Sequence, residues 1–229
     1  MDNARGVVDQ LVPFLVVRGY EPGERIPSER DLAERFGVSR GQVREALAFL
    51  GALRVIERRE KSGIFMAAEP SSIEALALFA QIGVPLSAEE VHQSVEMRRI
   101  HEIEAVRLAC ERWTDENIER IQKILDEEET NAKAGKSIAE QDRLFHAEIV
   151  KATQNGIFFR IVNIFYLMTA ERRQFYFRDP QRCRRSHREH LRLFDAIVNR
   201  DTEKAVELMS AHLQGVDSYW RGLLGEEGR

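Results

Sequence analysis

The spacing of apolar residues changes twice along the chain, and each change marks a structural element. Val43, Leu47 and Leu50 recur at i, i+4 and i+7, one stripe of a helix that turns Arg40, Gly41 and Arg44 outward. The period then drops to two. Val55, Glu57 and Arg59 alternate with Ile56, Arg58 and Glu60, and after Lys61-Ser62-Gly63 comes Ile64-Phe65-Met66, which predicts two short strands around a turn. From residue 73 onward the spacing is helical, predicting helices near 73–83, 88–113, 115–133, 137–154, 157–177, 180–199 and 202–224. Glycine and proline fall at the breaks, as at Gly83-Val84-Pro85, Asn155-Gly156 and Asp179-Pro180. The expected fold class is mainly α: an N-terminal winged helix-turn-helix followed by an all-α antiparallel bundle of about seven helices.

Polar residues punctuate the first helices. Ser28 with Asp31, and Ser39 with Gln42, have the spacing in which a serine oxygen accepts from the free N–H at the third helical position. Gly37 between them supplies the positive φ that ends the first helix. The pair reads as a helix-turn-helix, with the strands as its wing. A helix N-terminus favours phosphate, and arginine offers a planar fork for guanine edges or phosphate oxygens. An αα-hairpin with solvated arginines is the plainer alternative. Lys61 and the backbone at Gly63 are wing contacts by position; of Arg58 and Arg59, one should face inward or pair with an acid.

The run Pro27-Ser28-Glu29-Arg30-Asp31-Leu32-Ala33-Glu34-Arg35-Phe36-Gly37-Val38-Ser39-Arg40-Gly41-Gln42-Val43-Arg44-Glu45-Ala46-Leu47 resembles the signature of the GntR family of bacterial transcription regulators, with Ile26 for its first Leu. The resemblance covers about the first third of the chain and implies that Arg30, Arg40 and Arg44 meet DNA. Together with the caps and the wing, the expected DNA-binding set is Arg30, Ser39, Arg40, Gln42, Arg44, Lys61 and Gly63. The chain departs from the family after the recognition helix, where Leu50-Gly51-Ala52-Leu53-Arg54-Val55 replaces the usual Leu-x-x-x-Gly-Leu.

Composition narrows the class. The 229 residues, 43% of them apolar, suit two domains, expected at 1–68 and 73–229 with Glu69-Pro70-Ser71-Ser72 as linker and Ser71 with Glu74 starting the next helix. No run reaches membrane-spanning length and no signal peptide is read, so a cytoplasmic protein without membrane contact is expected. Cys110 and Cys183 lie in helical patterns and read as small packing residues. Net charge is −4, yet residues 1–68 hold 11 Lys+Arg against 10 Asp+Glu. Such a weak field argues that duplex binding needs two sets of contacts, hence a homodimer on a palindromic operator.

Within the helical part, Asp142 and His146 are four apart on one helix face, and His190 and His212 lie on the last two helices. One carboxylate and three imidazoles make a ligand set for a divalent metal, zinc first, with nickel or another ion as alternatives. Taken singly, each is the kind of residue that usually makes a surface pair or a satisfied core histidine. Asp142-Arg143-Leu144-Phe145-His146 followed by Asn155, Glu189-His190, and Met209-Ser210-Ala211-His212-Leu213 resemble the histidine helices of the FCD ligand-binding domain found in the fatty-acid-regulator branch of that family, over roughly residues 92–216. The resemblance implies a metal-binding bundle and favours His190 over His187 as ligand; His187 stays open as a surface or outer residue, with His92 and His101.

Glu96-Met97-Arg98-Arg99-Ile100-His101-Glu102 is similar to the family's R-x-x-x-E helix start, so Arg98 is the expected carboxylate clamp, with Glu102 a further effector contact and Arg172 and Arg173, on a later helix, weaker ones. A simple Arg98–Glu102 helix pair is the alternative. The reading is a metabolite-responsive DNA-binding regulator, repression being the expected mode, whose homodimer is released or retained by a small organic acid at the metal, the lever being the chain at Pro70. Two other classes stay open: a metal-dependent hydrolase, in which Asp/His₃ activates water, and an architectural DNA binder without effector.

Overall fold

A computed structural model describes residues 2–68, 72–84 and 87–224. Among them are eleven helices and one two-stranded antiparallel sheet, and the chain divides into two compact units, Met1–Pro85 and Leu86–Arg229.

The first unit holds α1 (Asp2–Arg18), α2 (Glu29–Phe36), α3 (Arg40–Ala52), β1 (Ile56–Arg59), β2 (Gly63–Met66) and α4 (Ile73–Gln81). Helix α1 has no counterpart among the expected elements. It buries Val7, Val8, Leu11, Val12 and Leu15 in the core formed by Leu32, Val43, Leu47, Leu50 and Ile56. Both capping boxes are present. Asp31 N–H donates to Ser28 Oγ at 3.3 Å and Gln42 N–H to Ser39 Oγ at 3.3 Å, while the Asp31 and Gln42 side chains accept from the two serine N–H groups. Gly37 ends α2 at φ 65°, the left-handed conformation a residue with Cβ resists. β1 and β2 pair from Ile56↔Met66 to Arg59↔Gly63. Residues Gly23–Ile26 add backbone bonds to β2, Ile26 N–H donating to the Ile64 carbonyl at 2.9 Å and Met66 N–H to the Glu24 carbonyl at 2.8 Å.

Helix α4 departs from the expected boundary. Its Ala75 is fully buried in the winged-helix core, and Leu78, Phe79 and Ile82 pack on the same cluster. Its apolar face packs on this core, so the helix groups with the first unit. Ser72, one residue later than expected, caps it by accepting from Ala75 N–H. Residues 69–71 of the expected linker, Pro70 included, lie outside the described residues.

The second unit contains α5 (Ala88–Arg112), α6 (Asp115–Lys133), α7 (Ala139–Ala152), α8 (Gly156–Met168), α9 (Ala170–Tyr176), α10 (Pro180–Val198) and α11 (Thr202–Leu224). The helix expected over 157–177 is broken at Thr169 into α8 and α9. Its core is continuous from Ala105, Val106 and Ala109 of α5 through Ile121 and Leu125, Phe145 and Ile149, to Leu193, Ile197 and Met209. Asn155 caps α8, accepting from Phe158 N–H at 3.0 Å, and Pro180 opens α10 where its missing N–H costs nothing. Both cysteines are buried and free.

Candidate functional site

In the first unit the recognition helix begins at a capped N-terminus, with Arg40 and Arg44 exposed. Arg30 is exposed, its side chain 77% accessible and its Nε 3.8 Å from Asp31 in a loose ion pair. Ser39 and Gln42 are occupied with each other: the Gln42 carbonyl oxygen accepts from Ser39 N–H at 2.9 Å, so only its amide N–H₂ remains to meet a base or phosphate. Arg44 is not loose. Glu29 of α2 accepts from Arg44 Nη2 at 3.2 Å and from Arg58 Nη1 of β1 at 2.8 Å, so one carboxylate ties the recognition helix to the wing. Burial raises the Glu29 carboxyl, but Arg58 and Arg44 outweigh it and hold it below its usual range. Both uncertain wing arginines thus have acids, for Arg59 pairs with Glu57 and covers the Phe65 ring at 4.2 Å. Lys61 stands at the turn with φ 57°. Gly63, at φ 122°, lies under the Arg25 guanidinium, which a Cβ would meet at 2.9 Å. Glu29 and Arg25 were missed because each partner lies far away in sequence.

In the second unit Asp142, His146, His190 and His212 converge, each offering a ligand atom within 4.8 Å of every other. His146 Nε2 is 3.7 Å and His190 Nε2 3.6 Å from the same Asp142 oxygen. Ligands around one ion at about 2 Å lie roughly 3–4 Å apart, so the set needs only slight contraction to close on a metal. All four side chains are buried. α7 supplies two because Asp142 and His146 are one turn apart, while α10 and α11 each bring one across the core.

The orientation of the rings is set from behind. His146 Nδ1 meets Glu102 at 2.7 Å, His190 Nδ1 meets Glu128 at 2.9 Å, and His212 Nδ1 meets Glu189 at 2.7 Å. Each carboxylate is placed to accept a hydrogen bond from Nδ1–H, the tautomer that leaves the Nε2 lone pair directed at the centre, the arrangement in which imidazole binds metal best. The Nε2 atoms of His190 and His212 are buried without a partner, an expensive state for two ring nitrogens unless a cation receives them. The donor set therefore fits a divalent ion. Burial raises the Glu128 carboxyl, but the imidazoles it bonds, His190 first and then His187, bring it down to about 2. Glu189 is likewise lowered to about 2, where burial is outweighed by the bonds from His212 and Arg185. Burial lowers His212 to about 4, so it is neutral near pH 7.

Glu102 is a correction. Expected beside the effector, it is fully buried behind His146, and its other oxygen accepts from Tyr166 and Arg98 at 3.2 and 3.3 Å. A carboxylate facing an acid would repel it; here it orients the His146 ring. Arg98 both makes the helix pair with Glu102 and holds Nη2 3.2 Å from His146 Nε2. His187 shares Glu128 with His190, at 3.0 Å, and is not among the converging four. Glu128 was missed, although its phase marks it: Ile121, Leu125, Glu128 and Ala132 form one buried stripe, so a charge sits in an apolar row.

Beside this centre is a cavity of about 750 Å³ within the second unit, lined by Asp142, Arg98, Arg172, Arg173, Tyr166, Phe177 and Trp220 among others. Arg172 and Arg98 line it, Glu102 does not.

A capped recognition helix with a two-stranded wing, joined in one chain to a helical unit with a cavity, defines the class of one-chain transcriptional regulators that couple a DNA-reading module to an effector module. Residues 3–66 match the bacterial regulatory proteins of the gntR family and residues 93–215 the FCD domain. The chain belongs to the GntR family of regulators, in the branch with a C-terminal FCD domain, and is a transcriptional regulator, not an enzyme. It is similar to the HTH-type transcriptional regulator LutR of Bacillus subtilis (strain 168), 31% identical over 217 residues that cover 90% of this chain and 95% of that protein. The HTH-type transcriptional repressor NanR of Cronobacter sakazakii is 29% identical over 223 residues, 95% of this chain and 85% of that one. The fold is shared with a solved structure of Lar from Listeria monocytogenes at TM-score 0.72 and 18% identity, covering 96% of this chain and 97% of that one. Among the described residues no helix is long and apolar enough to cross a membrane.

Proposed function

We propose that this regulator senses a small organic acid at a divalent metal held by Asp142, His146, His190 and His212, and that the acid alters binding of a homodimer to a palindromic operator. The observation carrying this reading is the three-fold carboxylate backing of the histidines beside a cavity that Arg98 lines. Bound there, a metal supplies a Lewis-acid anchor for a carboxylate. Arg98 clamps the same group by charge-assisted hydrogen bonds, and the aromatic wall at Tyr166, Phe177 and Trp220 excludes water around it. An effector shifts DNA affinity only by preferring one arrangement of the bundle, so its affinity for the free and the operator-bound protein must differ.

Arg30, Arg40 and Arg44 of each protomer are assigned to the operator, with Lys61 and the backbone at Gly63 along the wing. Zinc suits the nitrogen-rich set; nickel is the alternative. Elemental analysis of the purified protein and an operator shift assay with a panel of organic acids test the reading. About one metal per chain and an acid-dependent shift are expected; metal-free protein, or indifference of the loaded protein to every acid, refutes it.

A further inference from the structure

Arginine is distributed unevenly around the cavity. Arg98 is neutralised by Glu102 at 3.3 Å. Arg173 is spent on structure, donating to the carbonyl of Ala139 at 3.0 Å and to that of Tyr166 at 3.4 Å. Arg172 is different: its Nη2 donates to Ser94 Oγ at 2.7 Å, its buried Nε has no partner, and no carboxylate pairs with it among the described residues. Its guanidinium lies 5.9 Å from the centre of the Trp220 ring, which also lines the cavity. The acids on the cavity lining do not serve it. Asp142 faces the metal ligands, Glu207 is bound by Lys204 at 2.8 Å, and Glu96 is exposed. Burial, then the charge of Arg98, lowers the Arg172 guanidinium to about 10, which still leaves it a cation at neutral pH.

A half-buried cation whose Nε is fully covered and unpartnered carries a cost without a counter-charge, and arginine cannot escape by losing its proton. A metal would offset only the Asp142 side of the cavity. Building on the acid-at-metal reading above, we infer that the effector is a diacid: one carboxylate goes to the metal and Arg98, and a second anionic group pairs with Arg172 where Ser94 holds it. The volume agrees, since about 750 Å³ leaves ample room beyond a single carboxylate head. Ser94 is suited to position the guanidinium, for its hydroxyl donates to the Val91 carbonyl at 2.7 Å and so turns its lone pairs to Arg172.

Calorimetric titration of the full-length, metal-loaded protein with pairs of acids that differ in the second carboxyl tests this: 2-hydroxybutyrate against malate, and gluconate against glucarate. The diacid of at least one pair should bind tighter by on the order of tenfold, the effect of one charge-assisted bidentate contact. Arg172→Gln should bring that diacid down to its monoacid's affinity while the monoacid and the metal content stay unchanged, and Ser94→Ala should act in the same direction. Equal affinity within both pairs, or equal weakening of monoacid and diacid by Arg172→Gln, overturns the second anionic group while leaving the acid-at-metal reading intact. If no acid of either kind binds the loaded protein, both fall.

Discussion

Replacing Glu128 by glutamine isolates the backing of one proposed metal ligand, His190, without touching the converging four side chains themselves. The carboxylate bonds His190 Nδ1 at 2.9 Å through one oxygen and at 3.1 Å through the other, and it also holds His187 at 3.0 Å. Glutamine keeps the volume and one acceptor oxygen but replaces the other by a donor, so the two histidine N–H groups compete for a single oxygen. Removing an outer carboxylate from a histidine ligand typically weakens metal binding by about 10- to 100-fold, or about 1.4–2.8 kcal/mol. Glu127→Gln and Glu129→Gln are the matched controls: the three glutamates are consecutive on α6, yet only Glu128 is buried. The assay is chelator competition for zinc, followed at pH 7.5 in the full-length protein. Glu128→Gln should fall in the stated range with both controls within about twofold of the parent. An unchanged affinity for Glu128→Gln, or an equal loss in all three, would refute the claim that this carboxylate fixes the His190 ring.

Three other outcomes follow from the same geometry. Arg44→Ala should lower operator affinity by roughly 10- to 100-fold per half-site, as loss of a specific arginine contact does, while zinc affinity is unaffected; gel shift and chelator competition on one preparation check both. Ser39→Ala removes the α3 cap and should destabilise the first unit by about 1 kcal/mol in urea unfolding, with no change if the cap is idle. Glu128 and Glu189 have folded values of about 2 against 4.5 in the free chain, so their contribution is present above 4.5 and is lost as pH falls toward 2. Chelator-treated protein should therefore lose thermal stability across that interval, and Glu128→Gln should shallow the slope; an identical slope in the variant would contradict it.

The boundary between what was legible and what was not follows the range of each interaction. Both capping boxes, the Gly37 turn, the alternating wing and the helical nature of the remainder rest on contacts within four residues, and residue identity decides those directly. The convergence of the quartet was legible in part: Asp142 and His146 share a turn, but bringing His190 and His212 to them rested on family resemblance, since no local rule spans that separation. Long-range contacts were beyond the sequence. Glu29 joins residues 15 and 29 positions away, Glu128 reaches 62 positions to His190, and Glu102 reaches 44 to His146. A carboxylate on a helix looks the same whether it faces water or a buried imidazole, and only packing chooses.

The chain alone determined that a capped helix-turn-helix with a wing precedes a helical bundle, because capping, turn chemistry and hydrophobic period are local properties. Tertiary structure decided that α4 joins the first unit, that Glu102 orients a histidine instead of meeting an effector, and that Arg172 is left without a counter-charge at the cavity wall. Each depends on which apolar faces bury each other, and burial turns a common acid or arginine into one whose partner matters.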